Sequence, residues 1–191
     1  MKIIAYHGSN VEFDKFDQSK ARIRNDLYGG GVAYFTNSLD MAKSYARVMS
    51  QKSGIPLVYE AALTINKLFD IDTLYRGNNL VQFLDMKEVE TFARGAKLLA
   101  MGQNRIQTLA NLRAGDMVLS GDQIFKGLSH GMNQTAKARM KLAKMGFDAL
   151  RYNAQGNSVY LMYNAHQIKI DNRYIVRTNT DTKTNESYKF I

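Results

Sequence analysis

Strand-forming stretches sit at both ends of this chain and are missing from its middle. Ile3–Tyr6, Val32–Thr36 and Leu57–Ile65 are short runs rich in β-branched and aromatic residues, and Leu68–Asp72 adds a further short one. Phe147–Tyr152, Val159–Tyr163 and Gln167–Ile170 bring the same texture back. From Leu80 to Met145 the residues instead favour helix, punctuated by Gly102, Gly115, Gly121, Gly127 and Gly131, which predicts three or four short helices. The spacing therefore predicts an α+β chain, a split β-rich domain interrupted by a helical insertion at about 76–145. At 191 residues one core is the default, so residues 1–191 are expected to form a single domain. The last segment has RYIVRT and SYKFI flanking the polar NTDTKTNE, which predicts a terminal hairpin, or a strand and a loose tail, over 172–191.

Composition narrows the chemistry. The apolar share of 45% and charged share of 23% are those of ordinary folded domains, which excludes wholesale disorder and fibrous repeats. With no cysteine, disulfides, thiolate nucleophiles and cysteine-ligated metal sites are ruled out. His7, His130 and His166 lie far apart, without metal-ligand spacing, so no obligate metal is expected. No apolar run is long enough to span a bilayer, and the first nine residues lack the form of a signal peptide; a cytoplasmic protein with no membrane partner is the expectation. The net charge of +9 steers the chain toward acidic partners, nucleic acid or a phosphate-bearing ligand.

Three segments carry residues suited to chemistry. Tyr6–Ser9, YHGS, ends the first strand with an imidazole followed by a glycine that permits close approach; the plain alternative is a turn with a partly buried histidine. EFDKFDQSKARIRND then reads as a polar, aperiodic surface loop. Gly29, Gly30 and Gly31 lead into the strand bearing Tyr34. Asn37 fits an N-cap with Asp40 three residues on, and a helix over about Ser38–Gln51 carries Tyr45. Two tyrosines so placed could bracket a planar ring, or simply pack in the core. The helix at about Gln134–Met145 carries Lys137, Arg139, Lys141 and Lys144 and reads as a solvated face rather than a nucleic-acid site, since no stacking platform accompanies it.

Taken together, YHGS, the glycine-led strand with Tyr34, the capped helix with Tyr45 and the late segment GFDALRYNAQGNSVYLMYNAHQIKI resemble the ADP-ribosyltransferases. The likeness is to the branch related to diphtheria toxin and the poly(ADP-ribose) polymerases, and covers residues 1–65 and 146–172. It implies an ADP-ribosyltransferase-like split antiparallel β-core and NAD as substrate. It further implies that His7 bonds the ribose next to nicotinamide, Gly8 holds the carboxamide through its backbone, Ser9 binds the adenosine-side ribose, and Tyr34 and Tyr45 sandwich the nicotinamide ring.

At the third signature position this chain departs from the family. Val159 stands where polymerising members carry glutamate, which implies mono-ADP-ribosylation or an inactive relative. Asn157, two residues earlier on the same strand face, is the reserve candidate, and Glu60 is the nearest acid in the matching region. Arg22 and Arg24 precede the triple glycine and are candidates to neutralise the diphosphate of NAD, or are solvated loop charges. The expected activity is transfer of ADP-ribose to a macromolecular acceptor, a protein rather than a nucleic acid, with loss of nicotinamide. The alternatives are a catalytically inactive binding module for an acidic partner and an NAD glycohydrolase.

Overall fold

Leu57–Thr64, LVYEAALT, has a single charged residue among apolar ones, the pattern of a strand covered on both faces rather than one. It occupies the middle of a sheet in the computed structural model, which describes residues 1–21, 26–76, 84–99, 104–176 and 188–189. The strands in chain order are β1 (Lys2–Ser9), β2 (Ala33–Thr36), β3 (Leu57–Thr64), β4 (Leu68–Asp70), β5 (Leu74–Arg76), β6 (Val118–Ser120), β7 (Ala149–Ala154), β8 (Asn157–Met162), β9 (Ile168–Ile175) and β10 (Tyr188–Lys189). Five α-helices occur among the described residues: α1 (Leu39–Ser50), α2 (Met86–Gly95), α3 (Arg105–Ala114), α4 (Gly121–Leu128) and α5 (Thr135–Lys144). A large sheet with these helices makes the architecture mixed, in keeping with an α+β chain. The chain divides into two compact units, one of Met1–Ala21, Gly31–Asn66 and Arg151–Ile191, the other of Arg22–Gly30 and Lys67–Leu150.

In the first unit the sheet runs in the order β10-β9-β3-β1-β2-β8-β7. β1 pairs antiparallel with β3 along its whole length, from Lys2↔Thr64 to Ser9↔Leu57. β3 pairs on its other edge with β9, and β2 pairs with β8 from Ala33↔Met162 to Thr36↔Val159. Between β1 and β2 the ladder is reduced to one pair, Tyr6↔Thr36. Tyr188 lies opposite Ile175, so the chain returns to the sheet near its end. α1 covers one face: Ala42 and Ala46 are fully buried against Tyr6, Val58 and Tyr174, small residues letting the helix lie close. Its N-cap is Ser38 rather than Asn37. The Ser38 hydroxyl accepts from the Met41 amide at 3.2 Å, while the Asn37 side chain instead accepts from the Ser158 amide at 3.0 Å, a tertiary contact that local spacing does not reveal.

The second unit holds the glycine-punctuated helices over a wider span than the 76–145 read from sequence. Asp85 and Glu88 form a capping box at the start of α2, and Ser120 and Gln123 form one at α4. Gly127 has no side chain because one would meet the Phe92 ring at 2.5 Å, and that absence lets α2 and α4 pack closely. Sequence reading finds no strand between Leu80 and Met145, yet β6 pairs with β5 there, Tyr75 opposite Leu119. A three-residue strand is too short to show a period.

The cap of α1 yields a direct expectation. Ser38→Ala should lower the free energy of unfolding by about 1 kcal/mol, the usual worth of a serine N-cap, measured by urea titration; an unchanged midpoint would refute the cap assignment.

Candidate active site

Where the β1–β2 ladder stops, a side chain takes over. The His7 Nδ1–H donates to the Tyr34 backbone carbonyl at 2.8 Å, joining β1 to β2 one residue beyond their only ladder pair. A carbonyl can only accept, so the contact places the ring proton on Nδ1 and leaves Nε2 as an acceptor. The ring is packed among Phe16 (5.3 Å between centroids), Phe35 (5.5 Å), Phe13 (6.4 Å) and Tyr59 (6.4 Å). Burial in this aromatic surround pushes the His7 pKa below its ordinary 6.5, and the bond to Tyr34 offsets only part of that push.

Gly8 points to the other face. A β-carbon there would lie 2.3 Å from the Ala42 carbonyl oxygen and 3.0 Å from the Tyr45 β-carbon, so only glycine lets α1 approach β1 this closely. Because residues directly opposite in a sheet share a face, Tyr6↔Thr36 puts Tyr34 on the α1 side as well. Gly8, Tyr34 and Tyr45 are therefore grouped on the side of α1, while the His7 ring faces the opposite way and reaches Tyr34 only through its backbone. Tyr45 is 55% exposed.

The remaining candidates divide. Val159 is 4% exposed and pairs with Thr36, on Tyr34's face of the sheet and with no acid in its place. Asn157 opens β8, and its side chain donates to the Gln155 carbonyl at 3.2 Å. The Ser9 hydroxyl closes a local turn, donating to the Val11 carbonyl and accepting from the Val11 amide, each at 3.0 Å. Glu60 pairs with Tyr6, two strands from Tyr34's, and is not brought against His7. Its carboxylate accepts from Asn172 at 2.7 Å and from the Tyr174 hydroxyl at 2.9 Å. Burial first, then this bond and charge, push the Tyr174 pKa up to about 12. Arg22 and Arg24 lie outside the described residues.

Sequence reading missed the cage around His7. Phe13 and Phe16 belong to the stretch read as a polar loop, yet both are half-buried, and Phe13 stacks on Tyr59 at 4.2 Å and 13°. Two phenylalanines three apart in a charged segment were the available signal. The basic helix is not a solvated face throughout. Lys141 and Lys137 both pair with Glu88, at 2.5 and 3.6 Å, and Arg139 is 6% exposed. Among the described residues no group of three or more metal-ligating side chains comes together, and no helix is long and apolar enough to cross a membrane.

Comparison with known proteins bears on the same span. The family model described as ADP-ribosyltransferase in polyvalent proteins matches residues 1–173. No curated protein matches the chain. A solved structure described as a crystal structure of an anti-CRISPR protein aligns over 89% of this chain and 94% of that one, at 10% identity and a TM-score of 0.38.

The depressed His7 pKa sets a pH dependence. The unfolded chain takes up a proton near pH 6.5 and the folded chain only at lower pH, so the stability contribution is full above about 6.5 and declines as pH falls toward the folded value. His7→Asn keeps an N–H for the Tyr34 carbonyl but does not titrate. Between about pH 7 and about pH 5.5, urea unfolding should show the wild type losing more stability than this variant. His130, whose pKa is also lowered, contributes equally to both proteins and cancels. Equal losses would refute a buried, neutral His7.

Proposed function

The chain belongs to the ADP-ribosyltransferases of polyvalent proteins, and on that premise we propose that it is an NAD-dependent mono-ADP-ribosyltransferase. In this reading it modifies a macromolecular acceptor, a protein rather than a nucleic acid, and releases nicotinamide, acting in the cytoplasm. The observation that carries the reading is convergence. His7 bonded to the Tyr34 carbonyl at 2.8 Å, and Gly8 lying against α1 beside Tyr45, bring together segments 27 and more residues apart that the family uses for one substrate.

The residues present suit NAD. His7 has one ring nitrogen committed to Tyr34 and the other left as an acceptor for a ribose hydroxyl. Gly8 lies past the last β1–β2 ladder pair, where its backbone would face the ligand along the strand edge, α1 filling the space above it, and Tyr34 and Tyr45 offer aromatic faces on the same side of β1. Ser9 would hold the second ribose after giving up its local turn, and Arg22 and Arg24 would take the diphosphate. When bound, NAD supplies a ribose carbon joined to a cationic nicotinamide. Breaking that bond returns the electron pair to the ring, which leaves neutral. The acceptor's nucleophilic atom forms the new bond and gives its proton to solvent or to a base. Fixing the leaving group between rings and donors removes orientational entropy from the barrier. Val159 cannot polarise an acceptor or bind a ribose hydroxyl, which supports single transfer over chain elongation. Asn157 would do so only after leaving Gln155, and Glu60 only after leaving Asn172 and Tyr174.

Val159 also favours a second reading, an inactive module for an acidic partner, and transfer to water would make the chain an NAD glycohydrolase. Incubating the protein with adenylate-labelled NAD and a cell lysate separates the three. Label on a macromolecule with matching free nicotinamide is expected. Tyr45→Ala should raise KM for NAD by about ten-fold, the upper worth of an aromatic stacking contact, and His7→Ala should lower kcat/KM. Nicotinamide without labelled acceptor identifies the glycohydrolase. Neither product, with salt-sensitive binding to acidic polymers, identifies the module.

A further inference from the structure

Past Ser9 the chain does not wander off as a solvated loop. It crosses the His7 face of the sheet, with Val11, Glu12, Asp14, Lys15 and Asp17 exposed and only Phe13 and Phe16 turned inward. Phe16 sits edge-on to His7 at 5.3 Å and against Phe35 at 5.2 Å, and Phe13 packs on Phe16 at 4.8 Å as well as on Tyr59. The ring nitrogen of His7 that is not bonded to Tyr34 thus shares its surroundings with this segment.

What holds the segment down is a short set of contacts from two neighbouring strands. The Tyr59 hydroxyl accepts from the Phe13 amide at 2.8 Å and donates to the Val11 carbonyl at 3.1 Å. Arg173 on β9, directly opposite Tyr59 and so on the same face, pairs with Glu12 at 2.8 Å and approaches Asp14 at 3.6 Å. Register places Arg173, Tyr59 and His7 in one row across three strands. The two attachments differ in kind. Tyr59 is fully buried and its bonds are part of the core. Glu12 is 63% and Asp14 98% exposed, so the ionic attachment is open to water and salt and is the weaker of the two.

We propose that residues 11–17 are a strap latched across His7 by Arg173, and that releasing this latch controls access to the imidazole. The importance of that access rests on the transferase reading above, but the strap itself is tested without NAD. Diethyl pyrocarbonate acylates unprotonated imidazoles, and mass spectrometry gives the rate at each histidine. In the wild type His7 should react more slowly than His166, which is exposed. Arg173→Ala should speed His7 alone by about two- to five-fold, the population shift an exposed ion pair commands. Arg173→Lys should fall between, because it keeps the charge and loses the fork. Glu12→Gln with Asp14→Asn should reproduce the effect from the strap side, which keeps the test usable should Arg173→Ala fold poorly. Sodium chloride at about 0.5 M should speed His7 in the wild type and not in either latch variant.

The latch is refuted if His7 reacts as fast as His166 in the wild type, or if neither set of variants changes its rate. Faster His7 acylation in the variants, with no nicotinamide released from NAD by any form of the protein, would uphold the strap and sink the transferase reading instead.

Discussion

One hydrogen bond, from the His7 imidazole to the Tyr34 carbonyl, bridges β1 and β2 where their backbone ladder gives out. β1 is fully paired with β3 on one side, yet on the other it meets β2 at a single residue pair. Neighbouring strands lie about 5 Å apart and normally satisfy each other through amide-to-carbonyl hydrogen bonds. Here a side chain bridges instead, and an imidazole removed from water disfavours its charged form. The aromatic surround makes that neutral form the stable one. The same ring that bridges the strand gap is thereby set in one tautomer, with its second nitrogen left as an acceptor.

Alternation along β1 then divides the work between two faces. His7 turns toward Phe13, Phe16, Phe35 and Tyr59, and Gly8 turns toward α1. Glycine is required because any β-carbon would run into the backbone of Ala42 and Ala46, which has no room to yield. Tyr34 follows Gly8's side by register, and Tyr45 by its place on the helix. In the proposed transferase reading, a dinucleotide would lie along the edge where β1 and β2 part, touching one face through His7 and the other through the tyrosines. Val159, on the tyrosine side and buried, puts no acid at its own position.

Much of this was legible in the residues. The strand-rich ends and helical middle were visible as texture, because β-branched runs and glycine-punctuated helix formers differ over many residues at once. The family was legible because the residue types and order of YHGS, Tyr34 and Tyr45 resemble it, and the family model over residues 1–173 shows it. The Asn37 cap was misread by one residue, since Asn37 and Ser38 both suit the role and only the contact with Ser158 decides between them. β6 escaped notice for its shortness. The segment after Ser9 was read as a surface loop because charged residues outnumber the two phenylalanines that anchor it.

Sequence alone determined the classes of element, the absence of thiol chemistry and the order of the candidate segments, since these depend on residue type and local spacing. Tertiary structure decided which face each side chain took, that Glu60 is held by Asn172 and Tyr174, and that Arg173, Tyr59 and His7 share a row. Those outcomes follow from strand register. Register is set by pairing between segments tens of residues apart, and a shift of one residue would turn every side chain to the opposite face.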